Sequence, residues 1–454
     1  MIEKKLIEIQ QMANGSALKR EFEQVNVKGV TTDSRQVQKG NLFIPIIGEK
    51  FDGHAFVEQA FEKGAAGSLW SKSVPNPPKD KPIIYVEDTL TALQHIASKY
   101  LIEVNPKVIG ITGSNGKTTT KDMVASVVGT TYRTHKTIGN YNNHIGLPLT
   151  VLSMPENTEV AVLEMGMNAR GEIELLSSIA RPDIAIITNI GDAHLQELGS
   201  REGIAEAKLE ILKGLKQGGT LIYHGDEPLL RKDYPFRNRT FGEGSENDLY
   251  PLSVKLTREG TEFTSNIADL TFFIPVLGRH NVLNALAAIA AGQLLNVELE
   301  NIQKGLRQLK AANMRLELMQ TKTGATVIND AYNANPTAMK AAIDLVHDLS
   351  GYRKKILVFG GMLELGERET EMHQEVGLML KNKEIDHLFT YGKLGEEIAK
   401  GAKKVMDEDK IHVFFDKQKL IHELKRLSGK EDLILVKASR GIKLEEVVNA
   451  LLGE

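Results

Sequence analysis

The chain has 454 residues, more than one hydrophobic core usually organises, so two to three domains are expected. Its composition is globular, 41% hydrophobic and 25% charged, and 56 basic against 59 acidic residues leave a net charge of -3. That balance offers no general attraction for nucleic acid or an anionic membrane, and the absence of cysteine excludes disulfides, thiolate metal sites and cysteine nucleophiles. No apolar run reaches the length of about 18 residues that a membrane span needs. The start, MIEKKLIEIQQMANG, alternates apolar and charged residues like an amphipathic helix and lacks the apolar core of a signal peptide. A soluble, cytoplasmic protein without membrane insertion is expected, and a monomer.

In chain order, residues 1–103 predict short strands such as Leu42 to Ile47 and Pro82 to Val86, with an amphipathic helix over AFVEQAFEKGAA between them. SKSVPNPPKDKP, from Ser71, reads as a surface loop because proline fixes φ and donates no ladder bond. Residues 104–313 alternate continuously apolar runs (KVIGITG, VAVLEMG, IAIITNI, TLIYHGD) with helical periods, the pattern of βαβ units in a parallel sheet buried on both faces. Leu249 to Leu277 changes to short alternating strands, an antiparallel flap, and a helix follows near His280. Residues 314–454 start a second sheet with ATVIND, KKILVFGG, HLFTYG, HVFFD and LILVKAS. The expected fold is α/β in three domains: a small α/β N-terminal cap, a central P-loop mononucleotide-binding parallel-sheet domain and a C-terminal Rossmann-like domain. Ligands in such sheets lie at the carboxyl ends of the strands.

The strongest motif is TGSNGKTTT, where a buried strand runs into Gly113, Ser114, Asn115, Gly116, Lys117, Thr118 and Thr119 and then a helix. Glycines let backbone N–H groups curl around phosphate, and the helix N-terminus adds partial positive charge. Lys117 would reach the terminal phosphates and the Thr118 hydroxyl would ligate Mg²⁺. The spacing departs from G-x-x-x-x-G-K-[ST], since Ile111 stands where the first glycine would fall. The loop points to a nucleoside triphosphate without naming the reaction. Glu164 ends VAVLEMG, where a carboxylate can hold Mg²⁺, and His194 follows the next apolar strand. Each alone reads equally as a helix-terminal charge or a loop histidine; their positions at successive strand ends favour a metal site. Asp192 reads as a turn-former. Lys208, in GIAEAKLEILKGL, reads from composition alone as a solvated lysine paired with carboxylates one turn away.

The chain resembles the Mur ligases of peptidoglycan synthesis over nearly its whole length. The likeness rests on Thr31-Thr-Asp-Ser-Arg35, Gly40-Asn-Leu-Phe43 and Phe51-Asp-Gly-His54 in the first region. It continues through TGSNGKTTT, Gly139-Asn-Tyr-Asn-Asn143, Gly146-Leu-Pro148, Leu163-Glu-Met-Gly166 and Asn189 to His194. Beyond these come Gly278-Arg-His-Asn281, Met314-Arg315, Asn329-Asp-Ala-Tyr-Asn-Ala-Asn-Pro336 and Lys437-Ala-Ser-Arg440. DAYNANP is the most discriminating run, and points to the branch that adds D-alanyl-D-alanine to a UDP-N-acetylmuramoyl-tripeptide. The branch that adds the third residue carries a DNPR-type sequence, absent here.

The resemblance implies ATP and Mg²⁺ as cofactors, with Lys117, Thr118, Glu164 and His194 as their apparatus. It implies a carbamylated Lys208, Asn281 on the adenine side, and Arg315 and Asp330 closing over phosphates and ribose. Asp33, Ser34 and Arg35 would belong to the uridine-nucleotide site, and Asn140, Tyr141, Asn142 and Asn143 to the path of the muramoyl peptide. Tyr332, Asn333 and Asn335 fall where the dipeptide docks. The bland readings are turns for GNYNN, a helix cap with a surface pair for Asp-Ser-Arg, and a turn before a helix for NANP. Ala438 stands where relatives often carry glycine. The implied reaction activates a carboxylate as an acyl phosphate and joins it to an amine. Its rivals are another amide ligase of the superfamily, such as a folylpolyglutamate synthetase or another Mur step, and a nucleotide-driven switch.

Overall fold

The computed structural model describes residues 1–49, 51–192, 195–310 and 313–453. Two compact units emerge: Met1–Thr112 with Thr131–Ile186 and Leu209–Leu221, and Gly113–Thr130 with Ile187–Lys208 and Ile222–Glu454. The fold is mixed α/β, as expected from the alternation of apolar runs and helical periods.

In the first unit, four parallel strands, Val30–Thr31, Leu42–Phe43, Gly67–Ser71 and Ile83–Val86, form a small sheet in chain order. Phe43, Val57, Ala60, Trp70 and Ile83 pack on it as a local core. The proline-rich segment after Ser71 joins two of its strands without regular structure of its own. One expectation fails at the start of the chain. Glu3–Lys5 is a strand paired antiparallel with Asn26–Lys28, and the helix begins only at Leu6. Alternation of charged and apolar residues serves a strand as well as a helix, and a partner strand with a Lys28–Glu3 ion pair at 2.6 Å decides between them.

The central sheet runs Arg237–Phe241, Thr220–His224, Ile184–Ile187, Lys107–Thr112, Val160–Glu164, Thr134–Lys136. Lys107–Thr112 pairs parallel with Val160–Glu164, placing Ile111 in register with Glu164. Every residue of Val160–Glu164 and of Ile184–Ile187 is buried, which explains the unbroken apolar runs: each buried aliphatic side chain contributes about 1.5–3 kcal/mol that a polar one would forfeit. The antiparallel flap is present as Pro251–Leu256, Thr261–Ser265 and Ala268–Ile274.

Within the second unit, the helix Lys117–Val128 packs against Arg279–Leu294 and Leu299–Arg307. The C-terminal sheet runs Glu317–Gln320, Thr326–Asp330, Leu433–Lys437, Lys355–Phe359, His387–Tyr391, Ile411–Phe414. Only the first pair is antiparallel. Asp330, Lys437 and Phe359 stand in register at neighbouring carboxyl ends, so the chemistry-bearing residues of three strands share one edge.

Candidate active site

The phosphate loop is built by two glycines that admit no side chain. Gly113 has φ +148 and Gly116 φ +78, both rare for L residues, and an added Cβ would strike the Thr188 hydroxyl at the first and lie 2.6 Å from Asn284 Oδ1 at the second. Asn189 braces the loop: its backbone oxygen accepts from Ser114 N at 3.1 Å and its Oδ1 from Asn115 N at 2.9 Å. Thr188 Oγ1 donates to Asn115 O at 2.6 Å, and Ser114 Oγ donates to Gly191 O at 3.1 Å. Gly116 caps the helix Lys117–Val128, whose first N–H groups and positive dipole end point back at the loop. Lys117 Nζ donates to Gly113 O at 2.7 Å and Ser114 O at 3.3 Å, folded over the loop it would complete around a phosphate. Thr118 is buried and Thr119 half-buried.

Lys208 overturns its composition-based reading. It lies in the last turn of the helix Arg201–Leu209 with 1% of its surface exposed. Burial, and after it the nearby Lys117 ammonium, hold its pKa well below the ordinary lysine range.

Asn281 and Asn284 lie one turn apart on Arg279–Leu294, a helix otherwise lined with alanine and aliphatic residues. Both are buried; Asn284 donates to Asn281 Oδ1 at 2.9 Å, and Asn281 donates to Leu277 O at 2.7 Å. The sequence points to Asn281 through the resemblance, but not to Asn284 or to the bracing role of Asn189. Two carboxamides at i, i+3 inside an Ala-rich helix were the available signal for Asn284.

At the C-terminal sheet edge, Lys437 Nζ donates to Asp330 Oδ2 at 2.6 Å and to Asn333 O at 2.9 Å, and Leu316 N donates to Asp330 Oδ1 at 3.3 Å. Met314 and Leu316 both hold positive φ, +61 and +50, a bend that turns the Arg315 guanidinium over the Tyr332 ring at 4.2 Å. Ala438 is fully buried, with Gly360 close against it, and Ser439 Oγ accepts from Leu363 N at 3.0 Å. Asn335 caps the helix Pro336–Asp348, accepting from Ala338 N at 2.9 Å, while Asn333 is exposed.

The first unit carries the acidic candidate. Glu164 is 2% exposed; its Oε1 accepts from Asn142 Nδ2 at 2.8 Å, and its backbone N donates to Thr137 Oγ1 at 3.0 Å. Its Oε2 is buried and has no hydrogen-bond partner among the described residues. A buried carboxylate oxygen without a donor fits a hard cation such as Mg²⁺. Of the GNYNN run, Asn142 thus serves Glu164, Asn143 Oδ1 caps the helix Gly146–Leu152 through Gly146 N at 2.8 Å, and Asn140 and Tyr141 are exposed. Asp33 accepts from Arg35 N, Nε and Nη2 at 2.9 Å each, and this pairing holds its carboxyl well below the usual range. Ser34 O accepts from Lys63 Nζ. His194 lies outside the described residues; among those described, no group of three acidic or imidazole side chains forms a metal site by itself.

Three family models match in series: the Mur ligase family catalytic domain over residues 26–101, the Mur ligase middle domain over 111–292, and the Mur ligase glutamate ligase domain over 314–440. A Bacillus subtilis protein named UDP-N-acetylmuramoyl-tripeptide–D-alanyl-D-alanine ligase is 56% identical over 452 residues, 100% of this chain and 99% of that one. The chain belongs to the Mur ligase family. Among solved structures, MurF from Acinetobacter baumannii matches this Mur ligase with a TM-score of 0.89 at 31% identity, covering 100% of both chains. MurF from Thermotoga maritima in complex with ADP matches at TM-score 0.84 and 30% identity, over 94% of this chain and 98% of that one. As a Mur ligase, the chain places the glycines, Lys117 and Thr118 of its phosphate loop inside the matched middle domain, and Arg315, Asp330 and Lys437 inside the matched C-terminal one.

Proposed function

We propose that this Mur ligase joins D-alanyl-D-alanine to a UDP-N-acetylmuramoyl-tripeptide, with ATP giving ADP and phosphate, in cytoplasmic synthesis of the peptidoglycan precursor. The observation that carries the reading is its end-to-end likeness to a ligase of that name, with the phosphate loop intact. No helix among the described residues is long and apolar enough to cross a membrane.

The chemistry follows from charge. A peptide carboxylate and a triphosphate repel, so the site must supply positive groups where they meet. The loop offers helix N-terminal N–H groups and Lys117, whose contacts to Gly113 O and Ser114 O a phosphate oxygen would replace. The carboxylate oxygen attacks the γ-phosphorus, the bond to the bridging oxygen breaks, and ADP leaves. The dipeptide amine then bonds to the acyl carbon, phosphate departs with its electron pair, and the nitrogen releases one proton. Arg315, held on Tyr332, is the cation proposed to meet the γ-phosphate, and Asp330 the acceptor for the ribose. Thr118, Glu164 and His194 are assigned to Mg²⁺ on the resemblance, and the unpartnered Oε2 of Glu164 is an oxygen donor suited to that ion. When bound, the ion neutralises phosphate charge.

Lys208 is proposed to be carbamylated. Only a neutral amine bonds to CO₂: the nitrogen pair joins carbon, a C–O pair moves to oxygen, and the nitrogen gives up its proton. Burial lowers the pKa of that amine and so favours the form that reacts; loss of the proton makes the product an anion that can help hold a second metal ion and the substrate carboxylate. Asp33, Ser34 and Arg35 are assigned to the uridine nucleotide, Asn140 to Asn143 to the muramoyl peptide, and Tyr332 and Asn333 to the dipeptide end of the site.

A ligation assay tests the reading: ATP, D-alanyl-D-alanine and the tripeptide in its lysine and diaminopimelate forms, with products read by mass spectrometry. A pentapeptide product with stoichiometric ADP is expected. ATP turnover with a different amino acid, and none with D-alanyl-D-alanine, would sink it.

A further inference from the structure

Two asparagines 220 residues apart in the chain meet face to face in the second unit. Asn335 Nδ2 donates to Asn115 Oδ1 at 2.8 Å, and Asn115 Nδ2 donates back to Asn335 Oδ1 at 3.3 Å. Neither side chain is free to do this by accident of rotation. Asn115 is pinned by its backbone, with N donating to Asn189 and O accepting from Thr188. Asn335 is 3% exposed, extended at φ -149, followed by Pro336, and its Oδ1 also caps the next helix through Ala338 N. Two residues on, Thr337 Oγ1 donates to Asp192 Oδ2 at 3.0 Å, which ties the same segment to the stretch from Thr188 to Asp192 that braces the loop.

One partner of the pair lies in the phosphate loop between Ser114 and Gly116. The other lies five residues past Asp330, in the segment whose Tyr332 carries Arg315. The pair therefore joins the groups that would bind phosphate to those that would approach it from the C-terminal sheet. A reciprocal carboxamide pair is also intolerant of displacement, because each partner loses a donor and an acceptor together, and Asn335 is too buried for water to replace them.

We propose that Asn335 is a positioning residue that, through Asn115, couples the geometry of the phosphate loop to the seating of the segment bearing Arg315 and Asp330. Nucleotide then binds tightly only when that segment is docked, because the competent state is otherwise a fraction of the population. The inference rests on the loop being the nucleotide site. It also reassigns the Asn335 carboxamide, both ends of which are engaged here, from the dipeptide to the loop.

The test is a double-mutant cycle on the full chain with Asn115→Ala, Asn335→Ser and the double variant, reading ADP affinity by calorimetry and KM for D-alanyl-D-alanine. Serine keeps an oxygen for the helix cap. Each single change should weaken ADP binding about 5- to 30-fold, with the double variant no more than about twofold beyond the worse single one. KM for the dipeptide should stay put. Asn335→Asp, which keeps the cap and one of the two bonds, should fall between the unaltered chain and Asn335→Ser, and guards against misfolding of the serine variant. Factors that multiply in the double variant, or a rise confined to the dipeptide KM, would overturn the coupling while leaving the nucleotide site in place. Failure of ADP to bind the unaltered chain would overturn both.

Discussion

Lys208 and Glu164 illustrate how little a residue's type says about its work. In the chain, Lys208 sits among glutamates on a helix and reads as a solvent cation; in the fold it is buried, and that burial, followed by the nearby Lys117 charge, lowers its pKa. Its burial depends on which face of Arg201–Leu209 turns inward, and that is a property of packing. Glu164 was legible as a strand end, but the unpartnered Oε2 that marks it as a ligand became visible only once Asn142 had claimed Oε1. Lys208→Ala should lower ligation about a hundredfold or more, the range for removing one group that stabilises developing charge. Added formate or acetate should restore part of the rate, by occupying the space of the carbamate. Unchanged activity without added acid would reduce the lysine to a packing residue.

At the scale of elements, the strand–loop–helix at 107–128 was readable because its glycines and apolar run are local signals. What the glycines avoid was not readable, since Thr188 and Asn284 come from distant segments. Gly116→Ala forces a left-handed residue to carry a Cβ against the Asn284 carboxamide. A loss of about 2 kcal/mol in urea unfolding is expected from the backbone and the contact together, along with weakened ADP binding. A variant matching the unaltered chain in both would show that the loop can relax at no cost. The opening segment teaches the converse: with a period that suits strand and helix alike, Glu3–Lys5 is decided by its pairing with Asn26–Lys28.

For the whole molecule, desolvated histidines contribute to the response to acid. Burial pushes His280, beside Asp330 and Lys437, down to about 4 from 6.5, and lowers His135, His224 and His373 as well. The unfolded chain binds the extra proton first, so His280 contributes its stability fully above pH 6.5 and loses it as pH falls towards 4. Unfolding free energy should drop between pH 7 and pH 5, with His280 accounting for on the order of 2 kcal/mol. Denaturant titrations at both values, repeated on His280→Asn, check this: the variant should show a shallower drop, and an equal drop would assign the sensitivity to the other histidines.

The alternation of apolar runs and helical periods determined the α/β class, because burial on two faces leaves its mark in every residue of a strand. Local motifs determined the phosphate loop, since positive φ and close approach admit little but glycine. Only the tertiary structure decided which polar groups are spent on one another. It set Asn335 against Asn115 and Asn142 against Glu164 Oε1, and among the described residues it left Glu164 Oε2 without a hydrogen-bond partner. Hydrogen-bond and charge satisfaction depends on partners brought from anywhere in the chain, and no spacing along the sequence carries that information.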